Sequence, residues 1–287
     1  MNLKPRRDRS PVWLPLLTRL TRTIPSWGMW KSADSAFFGN GDIDSVASSE
    51  DLPLIEAEFG RWAGEQKLGP VIVCTHAAPF MRVLVALDKD QRSLLELDLT
   101  LRKTFHGATL FVPADLVPLM SIDEQGVRKI RPGAEGVILL LHNGMRKGGL
   151  PNREGLRGKR VVELLQQDPV GIEAAAQLFG PGASAVSAGA RSLIEGHWNR
   201  RAMVAVEAWS LLRALKEPGL LLARTRFRFV TKQRCPLLKQ VYGGRRVPSD
   251  VDVDTWMGQV ADTHQVHGCS QGFEKNRPPA WPLDEPR

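Results

Sequence analysis

Asp42 and Asp44 flank a single apolar residue in Gly39-Asn40-Gly41-Asp42-Ile43-Asp44, and Ser32 stands nine intervening residues upstream of the first. Side chains two apart on a strand share a face, so the two carboxylates point together while Ile43 points to the core. Left alone, two such acids repel each other. A hard cation such as Mg²⁺ takes oxygen ligands and retains waters, so the pair suits a metal that also grips phosphate oxygens. Gly39 and Gly41 supply a tight turn just before the first acid, giving a strand, a turn and a second strand.

Ser93 to Leu101 alternates apolar and polar residues, the pattern of a half-buried strand. Asp98 and Glu96 share one face of it. A second Asp-x-Asp run, Asp250-Val251-Asp252-Val253-Asp254, follows Gly243-Gly244 too closely for the same arrangement and reads as a polar tail segment.

These residues resemble the motif of the DNA polymerase β nucleotidyltransferase superfamily, an apolar residue, Gly and Gly or Ser, a spacer, then Asp-apolar-acid. Trp30-Lys31-Ser32 matches the first half and Asp42-Ile43-Asp44 the second, with Lys31 where the family usually has Gly and Ser45 where an apolar residue is commoner. The resemblance implies a mixed β-sheet with helices, a nucleoside triphosphate as donor, a third carboxylate on a later strand, for which Asp98 is the best candidate and Glu96 the reserve, and a pair of Mg²⁺ ions held by Asp42, Asp44 and Asp98. It further implies phosphate contacts from Ser32 and the backbone around Gly41; Lys31, which departs from the family's Gly, would either crowd the phosphates or contact them as an extra cation. Haloacid-dehalogenase-like phosphatases and metal-dependent glycosyltransferases usually set their acid pair after an apolar strand, which Gly39-Asn40-Gly41 is not.

The elements that must position these residues follow from periodicity. Pro11 to Thr23 reads as a short helix with Ser10 as N-cap, leading into a strand at Gly28 to Lys31. Asp51 to Lys67 has helical spacing and is stopped by Gly69-Pro70. Val71 to Thr75 is a strand, Met81 to Leu87 a strand or part of a helix starting near Pro79, and Ala108 to Val112 another strand. Val127 to Arg131 and Gly136 to Leu141 close this half, separated by a break at Pro132-Gly133, and a helix begins near Glu135.

From about residue 146 the texture is helical, with Val161 to Gln167, Gly171 to Leu178 and Asn199 to Lys216 spaced accordingly. The expected organisation is α+β: a basic arm at 1–10, a nucleotidyltransferase-like domain at 11–145, a mainly helical basic domain at 146–246, and a polar, proline-rich tail at 247–287. Leu221 to Val230 alternates with period two, placing Arg224, Arg226 and Arg228 on one strand face. Such a row suits a nucleic-acid backbone, or equally an edge strand guarded by charge. Arg191 and His197 have the Arg-x₅-His spacing of HEPN ribonucleases, a pairing that also arises by chance.

The chain of 287 residues carries a formal net charge of +8, which favours a polyanionic partner without specifying one. Its three cysteines, Cys74, Cys235 and Cys269, lack metal-ligand spacing and suit a reducing cytoplasm. No apolar run reaches the roughly 18 residues of a membrane span, and the N-terminus lacks a signal-peptide core. The expected activity is Mg²⁺-dependent nucleotidyl transfer to an acceptor, with RNA (tRNA) preferred in a role like that of toxin–antitoxin or defence transferases, so that an antitoxin partner is expected. The alternatives are an inactive relative that binds nucleic acid or protein, and an antibiotic-type transferase acting on a small molecule.

Overall fold

Helix α1 (Ser10–Thr23) turns Trp13, Leu16, Leu17 and Leu20 inward, the three- and four-residue steps that bring side chains onto one helical face. A computed structural model describes residues 8–31, 37, 42–68, 71–76, 80–88, 94–142 and 156–226. Ser10 is the first helical residue and not the cap. Its backbone N–H and hydroxyl both donate to Asp8 Oδ1, at 2.8 and 2.6 Å.

Helix α2 (Leu52–Glu65) buries Leu52, Ile55, Phe59 and Trp62. Trp62 stacks on Trp13 with ring centroids 4.9 Å apart, and its indole N–H donates to the Val12 carbonyl at 2.8 Å. The two helices are thereby joined through an aromatic stack in which the Trp62 N–H is satisfied.

Both helices belong to a core shared with a mixed sheet. Strands β1 (Gly28–Lys31), β2 (Ile43–Val46), β3 (Val71–His76), β4 (Met81–Leu87) and β5 (Leu94–Thr100) lie in the order β3-β4-β5-β2-β1. Only β2 and β5 run parallel in this set, and the pairs β1–β2, β3–β4 and β4–β5 are antiparallel. Met81 to Leu87 is thus a strand throughout. Two short strands, β8 (Met120–Ile122) and β9 (Arg128–Ile130), follow later in the chain.

Alternation sorts the sheet's two faces. Met29, Ile43, Leu84, Ala86, Leu97 and Leu99 join the core of α1 and α2, whereas Asp44, Glu96 and Asp98 occupy the opposite parity. Arg128 braces the approach to β1: its guanidinium donates to the carbonyls of Ile24, Pro25 and Trp27 at 3.1, 2.8 and 2.7 Å.

The chain divides into two compact units, one of residues 1–101, 122–128 and 226–287, the other of residues 102–121 and 129–225. The second holds the hairpin β6 (Lys103–Phe105) and β7 (Ala108–Phe111), whose turn puts His106 and Gly107 at positive φ. Its helices are α3 (Pro113–Leu116), α4 (Pro132–His142), α5 (Leu156–Gln167), α6 (Pro169–Ala176), α7 (Ala183–Ile194), α8 (Arg200–Ala214) and α9 (Pro218–Arg226).

Two of these helices correct sequence expectations. Pro132 opens α4 where a break was expected, because a proline at the first helical position forfeits an N–H that would have no partner there anyway. Likewise α9 takes up Leu221 to Arg226, where alternation suggested a strand. Pro218 starts that helix, and Leu-Leu-Leu-Ala is strongly helix-forming.

Asp168 ties α4 to α6. It receives Arg131 Nε and Nη2 at 2.7 and 2.6 Å, and the backbone N–H groups of Gly133 and Gly171 at 3.1 and 2.9 Å. A side chain at Gly133 would put its Cβ 1.9 Å from the Asp168 carbonyl oxygen, so this close approach requires glycine. Among the described residues, no helix is long and apolar enough to cross a membrane.

Candidate metal centre

The parallel pairing of β2 and β5 places Asp44 directly opposite Asp98. Partners in register share a face, so the two acids stand side by side on neighbouring strands. Asp42 precedes β2 by one residue and adds a third carboxylate. One oxygen from each of Asp42, Asp44 and Asp98 lies within 4.8 Å of the other two. Asp44 and Asp98 are buried and Asp42 is half-buried.

Ser45 holds the pairing from the opposite face. Its hydroxyl donates to the main-chain oxygen of Asp98 at 2.9 Å, a bond buried between the strands. The sequence marks Ser45 only as an unusual polar residue; its use becomes visible once β5 is known to run beside β2.

Asp98 is 6% exposed, and its Oδ1 has no hydrogen-bond partner among the described residues. Burial pushes its carboxyl well above the usual carboxylate range, and the charges of Glu96, Asp44 and Asp42, with a hydrogen bond to Glu96, push it further. Glu96, the reserve acid, is therefore a neighbour on the same strand face that helps keep a proton on Asp98.

An acid cluster with a buried oxygen lacking a donor fits a divalent cation. The donor set is all carboxylate oxygen, the chemistry of Mg²⁺, Mn²⁺ or Ca²⁺ and not of zinc sites rich in sulfur and nitrogen. Asp42, Asp44 and Asp98 are the residues that would hold it.

Lys31 lies at the same place. Its ammonium donates to Asp44 Oδ2 at 2.7 Å, so this residue meets a carboxylate of the cluster directly. Ser32 and Gly41, expected at the phosphates, lie outside the described residues. Of the loop between β1 and β2, Phe37 is described: its side chain is buried and its carbonyl accepts the Arg9 backbone N–H at 2.7 Å. Arg9 itself, assigned by sequence to a basic arm, is buried, and its guanidinium meets Asp88 at 3.2 Å. Arg224 and Arg226 lie in α9, where the period-two face expected of a strand does not apply, and Arg228 lies outside the described residues. Arg191 reaches Glu173 at 2.7 Å, and His197 Nδ1 is 3.7 Å from Glu195, so each has an acidic neighbour of its own.

Compared with models of known protein families, with curated proteins and with solved structures, the chain matches none. Its chemistry is therefore read from its own residues.

Proposed function

We propose that this protein is a metal-dependent nucleotidyltransferase that moves a nucleotide from a nucleoside triphosphate to an acceptor hydroxyl. The observation that carries this reading is the convergence of Asp42, Asp44 and Asp98, with a buried Asp98 oxygen that has no donor among the described residues. Three acids gathered at two adjacent strands, Asp42 just ahead of the first, suit a reaction whose catalysis is mostly positioning and charge neutralisation.

In that reaction the acceptor oxygen forms a bond to the α-phosphorus as the bond from that phosphorus to the bridging oxygen breaks, releasing pyrophosphate. A divalent ion, when bound, neutralises the triphosphate and stabilises the leaving pyrophosphate. Asp42, Asp44 and Asp98 would hold the ion by their carboxylates. Asp98, ionised once the cluster is neutralised, takes the proton of the attacking hydroxyl at its carboxylate. Ser32 and the backbone near Gly41 orient the phosphates.

RNA is the preferred acceptor class, supported by the chain's net charge of +8. A tRNA acceptor and a toxin–antitoxin or defence setting extend this proposal by analogy with the superfamily. A second reading, a nucleic-acid binder without turnover, draws on the Lys31–Asp44 ion pair, which neutralises part of the cluster without a metal.

Incubation with labelled nucleoside triphosphates, Mg²⁺ and total tRNA separates the two. The transferase reading expects label on RNA, lost by about 10³-fold or more in Asp42→Ala, as when a group acting on the transition state is removed. Absence of label on RNA, protein or small acceptors, with salt-sensitive RNA binding unchanged in Asp42→Ala, supports the binder instead.

A further inference from the structure

Lys31 stands where simple alternation along β1 would not place it. Met29 pairs with Ser45 and belongs to the apolar core on the helix side of the sheet. From Met29, alternation sends Trp30 to the acidic face and returns Lys31 to the helix side. Instead the register shifts between Met29 and Lys31, and Lys31 lies opposite Asp44. An extra residue in one strand re-aims the side chain that follows it, and here the re-aimed group is an ammonium facing the carboxylates.

The resulting contact is short and sheltered. Nζ lies 2.7 Å from Asp44 Oδ2, with the two side chains 23% and 10% exposed, so solvent screens the pair only in part. The same nitrogen is 5.7 Å from the centroid of the Trp30 ring, a distance at which an aromatic face attracts a cation. Three ionised carboxylates carry three negative charges, and one ammonium with one divalent ion carries as many positive. A second divalent ion on Asp44 would have to sit against that ammonium.

We propose that Lys31 is a built-in cation occupying one of the two cation positions of the site, so that the chain binds one divalent ion where the same three carboxylates without Lys31 would bind two. This rests on the transferase reading only in requiring that Asp42, Asp44 and Asp98 hold a metal. It replaces the pair of Mg²⁺ ions that the superfamily resemblance implies. Lys31 is then a positioning residue whose charge is fixed by the strand and needs no metal concentration to be present.

The experiment is titration of the full chain with Mn²⁺ alone, following free Mn²⁺ by electron paramagnetic resonance, for the wild type, Lys31→Met, Lys31→Arg and Asp42→Asn. The wild type should bind about one ion and Lys31→Met about two, the count of a two-metal centre. Lys31→Arg keeps the charge and should bind about one. Circular dichroism checks that Lys31→Met is folded, and Lys31→Gln gives the same reading if it is not. Two ions in the wild type, or one in a folded Lys31→Met with unchanged affinity, overturns the proposal while leaving a metal site in place. No Mn²⁺ bound by the wild type, or binding unaffected by Asp42→Asn, overturns the proposal and the transferase reading together.

Discussion

A carboxyl group as buried as Asp98, beside Glu96, Asp44 and Asp42, is held in its neutral form well above the pH at which an exposed aspartate ionises. The folded chain then binds a proton that the unfolded chain has already lost. In the window between the ordinary carboxylate range and the raised value, stability from this group falls as pH rises. Without metal, Asp98→Asn should therefore raise the melting temperature at neutral pH and flatten its decline from acid to neutral. Each kcal/mol gained would appear as roughly 2–4 °C in a chain of this size. Thermal melts of both proteins from pH 4 to 8 check this, and equal slopes would contradict the protonated Asp98. The same group was legible in the sequence, because β5 alternates apolar and polar residues, although the half-buried strand expected there is buried on both faces from Leu95 to Thr100. The ion pair of Lys31 with Asp44 was not, since a register shift leaves no mark in an alternation pattern four residues long.

At the scale of elements, the acids meet because β2 and β5 run parallel and adjacent with α1 and α2 covering their other face. The Trp13–Trp62 stack joins those helices. Trp62→Ala removes a fully buried ring and the N–H bond to Val12, a loss of about 3–5 kcal/mol by the general cost of large core truncations. The expected fall in melting temperature is on the order of 10 °C. A fall of a degree or two would mean the helices are held mainly elsewhere.

Most of these elements could be read from the chain. Helical spacing marked α1, α2 and α8, an apolar run marked β3 and alternation marked β5, while β4 was left between strand and helix. What escaped were the segments where a local rule has two outcomes: proline both stops and starts helices, and Pro132 and Pro218 start them. Strand order escaped as well, because no local pattern records that β5 inserts between β4 and β2.

At the scale of the whole molecule, the first unit by itself contains the acid cluster, its lysine and the core that positions them. The second is bound internally by contacts such as Arg131 with Asp168 and Thr109 with Glu217, the latter at 2.7 Å. The net charge of +8 belongs to the chain as a whole, and it inclines the proposed acceptor toward a polyanion.

The central claim is that Asp42, Asp44 and Asp98 together grip a divalent ion and, through it, a triphosphate. It is tested most directly by a crystal structure with Mn²⁺ and a non-hydrolysable nucleoside triphosphate analogue, using anomalous scattering to locate the metal. The account predicts a peak coordinated by oxygens of those three residues, with triphosphate oxygens completing its shell. A nucleotide bound elsewhere, or no metal at these carboxylates under saturating Mn²⁺, would contradict it.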